Sequence, residues 1–505
     1  METPTSLRAE LNAISAADWS ATPVSVHDLL TRVIGQLEEQ AEQLAALQSE
    51  LVAVKTENAR LREQVGLNSG NSSQSPSTDK GFKVSRKGKG GGSRGGQAGH
   101  SGHERFLYEV EDCASVQNHH PEQCEVCGCE LSGDDPSPYR HQVVELPPVL
   151  PVVVEHRFHQ LVCPECEALT RASSAEIVAE GGYGPRLSGI VVLLSAQGHQ
   201  SHRQIVGLLD EVFGVVISTG MVSRLRQQFT RLIEPVMNAV QSYVQQQPAL
   251  GMDETSFAQG NSDGQNAAQS KGWLWVMTTP LVSYFAIHLS RAQTVAQALL
   301  GQDYPGIVGS DRAGAYSYLP LHQRQVCWAH LKRDFTAMAE RSGVSRELGQ
   351  ALLDIEHDIF AAWYEFRAGT ISRAGLREQL GPLRQDLIAA LLEAVSFGEP
   401  GKTPLDQTAR TCAKILKVEP ALWTFAQQAG VEPTNNAAER AIRPAVLWRK
   451  VSLGSQSVAG SEFVASALTV ISSLKAQNRS VLDYLTDAFD AARRRLALPS
   501  ILPST

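Results

Sequence analysis

Near residue 249 the spacing of apolar residues changes from helical to strand-like, and the succession that follows leaves few folds open. It predicts a strand over Ala249–Thr255 that carries Asp253, a second over the aromatic-rich run Trp273–Thr278, and a third over the alternating run Val282–Leu289. A helix over Ala292–Leu300 comes next, then a short buried strand, Gly306–Gly309, that ends at Ser310-Asp311. The order is strand, strand, strand, helix, strand, with an acid near the end of the first and fourth strands. Such a chain brings the two acids side by side at adjacent strand ends.

That order is the one expected of a ribonuclease-H-like α/β core, here over 246–340 and 431–452. A third acid is needed from elsewhere, and Glu439 in Asn435-Asn436-Ala-Ala-Glu439-Arg440-Ala-Ile-Arg443-Pro444 is the candidate. Asn435 or Asn436 then lies one helical turn from Glu439. An isolated aspartate is usually a surface carboxylate, but acids held close repel and raise one another's pKa. Divalent cations reverse that cost: oxygen ligands hold Mg²⁺ or Mn²⁺ while leaving room for water and phosphate. Two such ions about 4 Å apart serve in-line displacement at phosphorus. Glu254, next to Asp253, points to the opposite strand face and is the weaker ligand.

Composition sets the outer limits. With 505 residues, about three or four domains are expected. Hydrophobic residues at 42% and charged residues at 19% exclude a wholly disordered chain. The longest apolar run, Ile190–Ala196, falls well short of the roughly 18 residues a membrane span needs. Met1–Ser20 has no signal-peptide pattern, so a soluble, cytoplasmic protein without membrane association is expected. A net charge of −8 argues against a uniformly basic coat while leaving local basic patches open.

Six of the eight cysteines lie within 54 positions, at Cys113, Cys124, Cys127, Cys129, Cys163 and Cys166. Cys124-Glu-Val-Cys127 and Cys163-Pro-Glu-Cys166 are two C-x-x-C knuckles, separated by 35 residues that include a strand-like run, His141–Val154, broken by prolines. Two knuckles complete a tetrahedral Cys₄ structural Zn²⁺ site, whose folding contribution is on the order of 10 kcal/mol. A zinc ribbon over 111–180 is expected, and Cys129 can substitute for Cys127. Such a ribbon either grips DNA or serves as scaffold.

Residues 24–66 carry heptads with Leu30, Leu37, Leu44, Leu51, Asn58 and Val65 at a, and Val33, Gln40, Leu47, Val54 and Leu61 at d. Glu50 and Glu57 at g face Lys55 and Arg62 at the following e positions, and a buried Asn at a fixes register across a parallel dimer. This predicts a coiled coil and at least a homodimer. A flexible linker over 67–110 follows, with seven basic residues and one acid between Lys80 and Arg105. It reads either as a DNA-phosphate arm or as a solvated connector. Helices over Pro185–Gln197, Ser201–Phe213 and Ser218 to about Phe229 suggest a helix-turn-helix within 181–245. Its last helix presents Ser223, Arg224, Arg226, Gln227 and Gln228. Leu352, Ile355, Ile359, Trp363 and Phe366 keep helical spacing in a helical insertion over 341–430, and 453–505 reads as a small helical C-terminal domain.

Taken together, the chain resembles the transposases of the insertion-sequence-66 family, members of the Asp-Asp-Glu recombinases. The resemblance rests on the zipper arm, Asn71–Asp79, the two knuckles, Asp253-Glu254-Thr255, Ser310-Asp311 with Tyr316, Cys327-Trp328-Ala329-His330-Leu331-Lys332-Arg333, Asn435–Pro444, and Gly454–Ser466 with Leu474–Leu485. Where the family has a His-Ala-like pair before the first aspartate, this chain has Gly251-Met252. The resemblance implies Asp253, Asp311 and Glu439 as catalytic triad and ligands of two Mg²⁺ or Mn²⁺ ions. Its partners would be double-stranded DNA (terminal inverted repeats and target), a homodimer or higher oligomer, and accessory proteins of the same element on the bacterial nucleoid. Arg224, Arg226, Lys332, Arg333, Arg440 and Arg443 are the candidate DNA contacts, with His330 and Asn436 auxiliary. Arg449 and Lys450 extend the basic cluster near Glu439. Rival readings are a non-catalytic, dimeric DNA-binding regulator or domesticated element, and a nuclease without joining activity.

Overall fold

The computed structural model describes residues 13–66, 68, 70–71, 105–173, 182–399, 401 and 403–503. Most of the basic linker expected over 67–110 therefore lies outside the described residues, as does 174–180 of the expected zinc ribbon. In chain order the elements begin with α1 (Ala16–Ala21), α2 (Val24–Gly66), β1 (Gln160–Val162), β2 (Leu169–Arg171), α3 (Pro185–Ala196), α4 (His202–Phe213) and α5 (Thr219–Gln245). Next come β3 (Ala249–Ser256), β4 (Trp273–Thr278), β5 (Ser283–His288), α6 (Gln293–Leu300), β6 (Ile307–Ser310), β7 (Arg324–Val326) and α7 (Trp328–Ala339). The chain closes with α8 (Val344–Arg367), α9 (Arg373–Ser396), α10 (Pro404–Leu416), α11 (Thr424–Gln427), α12 (Asn436–Ser452), α13 (Val458–Ala476) and α14 (Val481–Arg494). The architecture is mixed α+β, mostly helical around one mixed sheet.

The chain forms two units. The smaller comprises Gly81–Arg157 and Val206–Ile217. Its described part is sparse in regular structure: a 3₁₀ turn at Val110–Asp112, a bridge between Gln123 and Glu130, and the latter part of α4. His141–Val154 forms no strand. Pro147, Pro148 and Pro151 remove ladder donors from the run, which outweighs its apolar content.

The larger unit comprises Met1–Lys80, Phe158–Ile205 and Ser218–Thr505. Its α2 extends over 43 residues, about 65 Å of helix. The leucines at four of the six heptad a positions, Leu30, Leu37, Leu44 and Leu51, are exposed along it. The helix α5 runs on through Pro235 to Gln245, far past the expected end near Phe229. Val222, Leu225, Phe229, Ile233, Val236, Val240 and Val244 recur every three or four positions, so one buried stripe holds the helix together across the proline.

The five-stranded sheet has the order β5-β4-β3-β6-β7. The first three strands are antiparallel neighbours, while β6 runs parallel to β3 and β7 parallel to β6. The helix α12 packs on β3 and β4, and α5 and α13 on β5. One apolar core joins Phe229, Val240, Met252, Trp275, Phe285, Trp448, Phe463 and Leu485. The exposed edge of β5 is closed by hydroxyls: its backbone N–H groups at Ser283 and Phe285 donate to Ser473 Oγ at 3.1 Å and Thr469 Oγ1 at 2.9 Å on α13. A second core, around Trp328, Leu331, Leu352, Ile359, Leu387, Leu391 and Trp423, holds α7–α10 together. Leu352, Ile359 and Trp363 lie buried on α8, and Ile355 and Phe366 pack against them.

Candidate active site

The parallel pairing of β3 with β6 sets Gly251 opposite Gly309. Asp253, inside β3, and Asp311, just past the end of β6, each follow their glycine by two residues. Each aspartate is steadied by a local N–H: Asp253 Oδ1 accepts from Glu254 N at 2.9 Å, and Asp311 Oδ1 accepts from Ala313 N at 2.8 Å. Both are half-buried.

Glu439 comes from the first turn of α12, and Asn435, the N-cap, governs where that turn starts. Its side chain caps nothing in its own helix. Instead Nδ2 donates to the Met252 carbonyl of β3 at 2.6 Å, while its backbone N–H donates to Cys327 Sγ at 3.1 Å. Asn435 is thus buried between the strand that carries Asp253 and the start of α7, and it ties both to Glu439. Asn436, the amide singled out in the sequence, is the half-buried first residue of the helix. Arg449 anchors the far end of α12 to β3, donating to Thr255 Oγ1 at 2.9 Å and Ser256 Oγ at 2.7 Å.

The electrostatics are those of crowded acids. Burial, then the charges of Glu254, Asp311 and Glu439, push the Asp253 carboxyl well above the ordinary range, against the opposing N–H of Glu254. Glu254 lies on the other face of β3, as strand alternation requires, and its side chain is only 1% exposed. There it pairs with Arg291 at 2.6 Å and accepts from the buried Tyr316 hydroxyl. Burial followed by Asp311 pushes the Glu254 carboxyl up, while Tyr316 and Arg291 pull it back. Glu254 is therefore a buried support beneath the aspartates, with both of its oxygens committed.

On α7, His330 and Arg333 share one face and both meet Glu439. Arg333 Nη2 lies 3.3 Å from Glu439 Oε2, and His330 Nδ1 lies 3.6 Å from Glu439 Oε1. Burial is the main influence on His330 and lowers its pKa, which favours the neutral ring. Cys327, the N-cap of α7, is fully buried, and burial pushes its thiol up to about 11. Donor atoms of Cys327, His330 and Glu439 lie within 4.8 Å of one another. Among the described residues, Asp253, Asp311 and Glu439 form no such tight cluster. Glu439 Oε1 is buried without a hydrogen-bond partner. Asp253, Asp311 and Glu439 nonetheless offer carboxylate oxygens, the donor type that Mg²⁺ or Mn²⁺ takes, and one acceptor among them is unmet.

The other sequence candidates divide. Arg440 and Arg443 are exposed on α12, and Arg224 is exposed on α5. Arg226 turns inward: it stacks 4.1 Å over Phe463 and donates to His202, and burial pushes its guanidinium down to about 10. Lys332 is paired with Glu356 at 2.8 Å. In the smaller unit, Cys124, Cys127 and Cys129 bring their sulfur atoms within 4.8 Å of one another. The Cys124 thiol is pulled down chiefly by the backbone N–H groups of Cys127 and Val126. Cys163 and Cys166 belong to the larger unit, between β1 and β2. There the N–H groups of Cys166 and Glu165 lower Cys163 in the same way.

Comparison with known proteins gives the chain a family. "Transposase IS66 family" is the description of a family whose pattern matches residues 181–463, more than half of the chain. A "Family of unknown function (DUF6444)" matches residues 26–106. The chain is 26% identical over 411 residues to "Uncharacterized protein y4qI" of Sinorhizobium fredii, an alignment covering 76% of this chain and 72% of that protein. It is 21% identical over 300 residues to "Uncharacterized protein y4jD" of the same organism, covering 55% of this chain and 57% of that protein. Among the described residues, no helix is long and apolar enough to cross a membrane. The chain belongs to the IS66 family of transposases, DNA-binding and DNA-processing proteins of mobile elements.

Proposed function

We propose that this transposase cuts DNA at the ends of its element and joins them to target DNA, using Asp253, Asp311 and Glu439 as ligands of two divalent cations in a ribonuclease-H-like core. The observation that carries the reading is the β3–β6 register together with the response of Asp253: the charges of Asp311 and Glu439 are near enough to raise its carboxyl. The raised Asp253 carboxyl is favoured as an anion by nearby positive charge. Bound Mg²⁺ or Mn²⁺ supplies that charge, lowers the pKa of water and stabilises the departing oxygen.

The protein's own groups hold and orient. Asn435 fixes the first turn of α12 against β3, so Glu439 keeps its place relative to Asp253. Glu254, braced by Arg291 and Tyr316, stiffens β3 from below. Arg440 and Arg443, exposed on the helix that bears Glu439, take phosphates of the bound duplex. In cleavage, water forms a new P–O bond as the bond to the bridging 3′ oxygen breaks, which frees a 3′-hydroxyl. In joining, that hydroxyl attacks a target phosphodiester, so one such bond forms as another breaks and no covalent protein–DNA link is required.

Two supporting roles belong to the same reading. The exposed leucine seam of α2 pairs with a second copy as a parallel coiled coil, and structural Zn²⁺ is taken at the cysteine knuckles, with Cys124, Cys127 and Cys129 already close together in the smaller unit. The test is Mg²⁺-dependent nicking and joining of a duplex that carries the element's terminal repeats. Asp253→Asn, Asp311→Asn and Glu439→Gln are expected to abolish both reactions and to leave binding of the ends intact. Undiminished joining by all three variants overturns the proposal, and binding without any ion-dependent cutting by the wild type favours a non-catalytic regulator.

A further inference from the structure

Two arginine–glutamate pairs in this molecule are built differently. Arg384 grips Glu419 with both prongs, Nε to Oε1 at 2.7 Å and Nη2 to Oε2 at 2.8 Å, and Trp423 Nε1 adds a third donor at 2.7 Å. That carboxylate is fully met, as a structural pair should be. At Glu439, Arg333 reaches only Oε2, at 3.3 Å, and Oε1 is buried with no hydrogen-bond partner. The second prong of Arg333 lies 3.4 Å from His330 Nε2, and His330 Nδ1 is likewise buried without a hydrogen-bond partner. The guanidinium therefore sits on the carboxylate without satisfying it. Its neighbours along α7 are committed elsewhere, Lys332 to Glu356 and Asp334 to Arg312.

A loosely held arginine at a cation-ligand candidate is a competitor for that ligand. It is also the side chain best shaped to take a phosphate through two parallel hydrogen bonds. The Arg333 side chain keeps 19% exposure, enough for a ligand to reach it. We propose that Arg333 guards Glu439: without DNA it occupies the carboxylate that the cations need, and a DNA phosphate draws the guanidinium away. DNA and metal then favour each other's binding, by the same factor in both directions. The inference rests on Asp253, Asp311 and Glu439 being the metal ligands, and it assigns Arg333 as a positioning residue that couples ion loading to DNA.

The experiment reads binding, with no turnover required. Mn²⁺ is titrated into the full-length, DNA-free protein and free ion is followed by electron paramagnetic resonance. Arg333→Gln is expected to bind Mn²⁺ about tenfold more tightly than wild type, and Arg333→Lys, which keeps the charge without the fork, to fall between them. In a second arm, the affinity for a labelled terminal-repeat duplex is measured by anisotropy with and without Ca²⁺. The ion should tighten the wild-type complex several-fold and leave the affinity of Arg333→Gln unchanged. Equal or weaker Mn²⁺ binding by Arg333→Gln overturns the guard, as does an equal gain from Ca²⁺ in both proteins. Asp253→Asn and Asp311→Asn separate the two levels. If they lose Mn²⁺ while Arg333→Gln matches wild type, only the guard is wrong. If they bind Mn²⁺ as wild type does, the ligand assignment beneath it is wrong.

Discussion

Adding one methyl group at Gly251 tests how Glu439 is held in place. Gly251 sits within β3, opposite Thr278 on one side and Gly309 on the other, with α12 packed across it. A Cβ there would stand 2.8 Å from Asn435 Oδ1 and 3.4 Å from Ala438 Cβ and Thr278 Cγ2. Asn435 has no easy retreat, since its Nδ2 holds the Met252 carbonyl at 2.6 Å and its backbone N–H holds Cys327 Sγ at 3.1 Å. Restoring ordinary contact moves Oδ1 by roughly 0.6 Å, which either breaks the hydrogen bond from Asn435 Nδ2 to the Met252 carbonyl or shifts the start of α12. Overpacking of this kind costs about 1–3 kcal/mol, and a lost buried hydrogen bond about 1 kcal/mol more. Gly251→Ala should therefore lose about 2–4 kcal/mol of stability. Because a 1 Å misplacement can cost about 100-fold in rate, a shift of half that size should slow joining by roughly tenfold.

The assay is a double-mutant cycle with Asn435→Ala, followed by urea unfolding and by DNA joining. In the double variant the methyl group meets no amide. Its stability loss should then be smaller than the sum of the two single losses by about 1 kcal/mol or more. If Gly251→Ala melts and joins like wild type, or if the two losses simply add, then close packing at Gly251 is not what sets the position of Glu439.

Three further predictions concern charge, zinc and assembly. The Asp253 carboxyl is raised by burial and by Glu254, Asp311 and Glu439, so the folded chain holds that proton more tightly than the unfolded one. Its contribution is present below the ordinary carboxylate range, near pH 4, and is lost as pH rises through the raised value; in chelator, melting temperature should fall over that window. Asp253→Asn should flatten the fall, and an unchanged slope refutes the assignment. Zinc analysis of the full-length protein should show bound ion whose content falls in Cys124→Ser, and an unchanged content in that variant would show that the first knuckle holds none. Leu37→Glu combined with Leu44→Glu should halve the sedimenting mass, and an unchanged mass would show that the α2 seam is not the interface.

What could be read in the sequence was whatever depends on neighbours along the chain. The strand-like spacing over 249–255 and the aromatic-rich run 273–278 are local features, so both strands lie where the pattern asked for them. The apolar stripe from Val222 to Val244 was equally present, but a helix-turn-helix template cut it short near Phe229; buried packing carries the helix through Pro235. Partners set by tertiary contact left no such trace. Asn435, rather than Asn436, holds β3, because the difference lies in a carbonyl 183 positions away. Glu254 was rightly turned from the aspartates by strand alternation, yet its bonds to Arg291 and Tyr316 depend on how α6 and the turn after β6 return to the sheet.

The basic side chains make the same point more sharply. Arg226, Lys332 and Arg333 read as phosphate contacts because a sequence displays charge and hides what that charge meets. In the folded chain they rest on Phe463, Glu356 and Glu439. These resting places differ in consequence. A cation stacked on a ring inside the core is spent on packing, and one paired with a nearly buried glutamate of a neighbouring helix fastens that helix. Arg333 alone of the three sits on an acid of the candidate triad, held by one long contact. The attraction that draws it to a carboxylate is the attraction that phosphate would exert, with the better geometric match. Its position beside Glu439 is therefore compatible with a role toward DNA and adds an order of events to it: the phosphate must arrive before the acid is free.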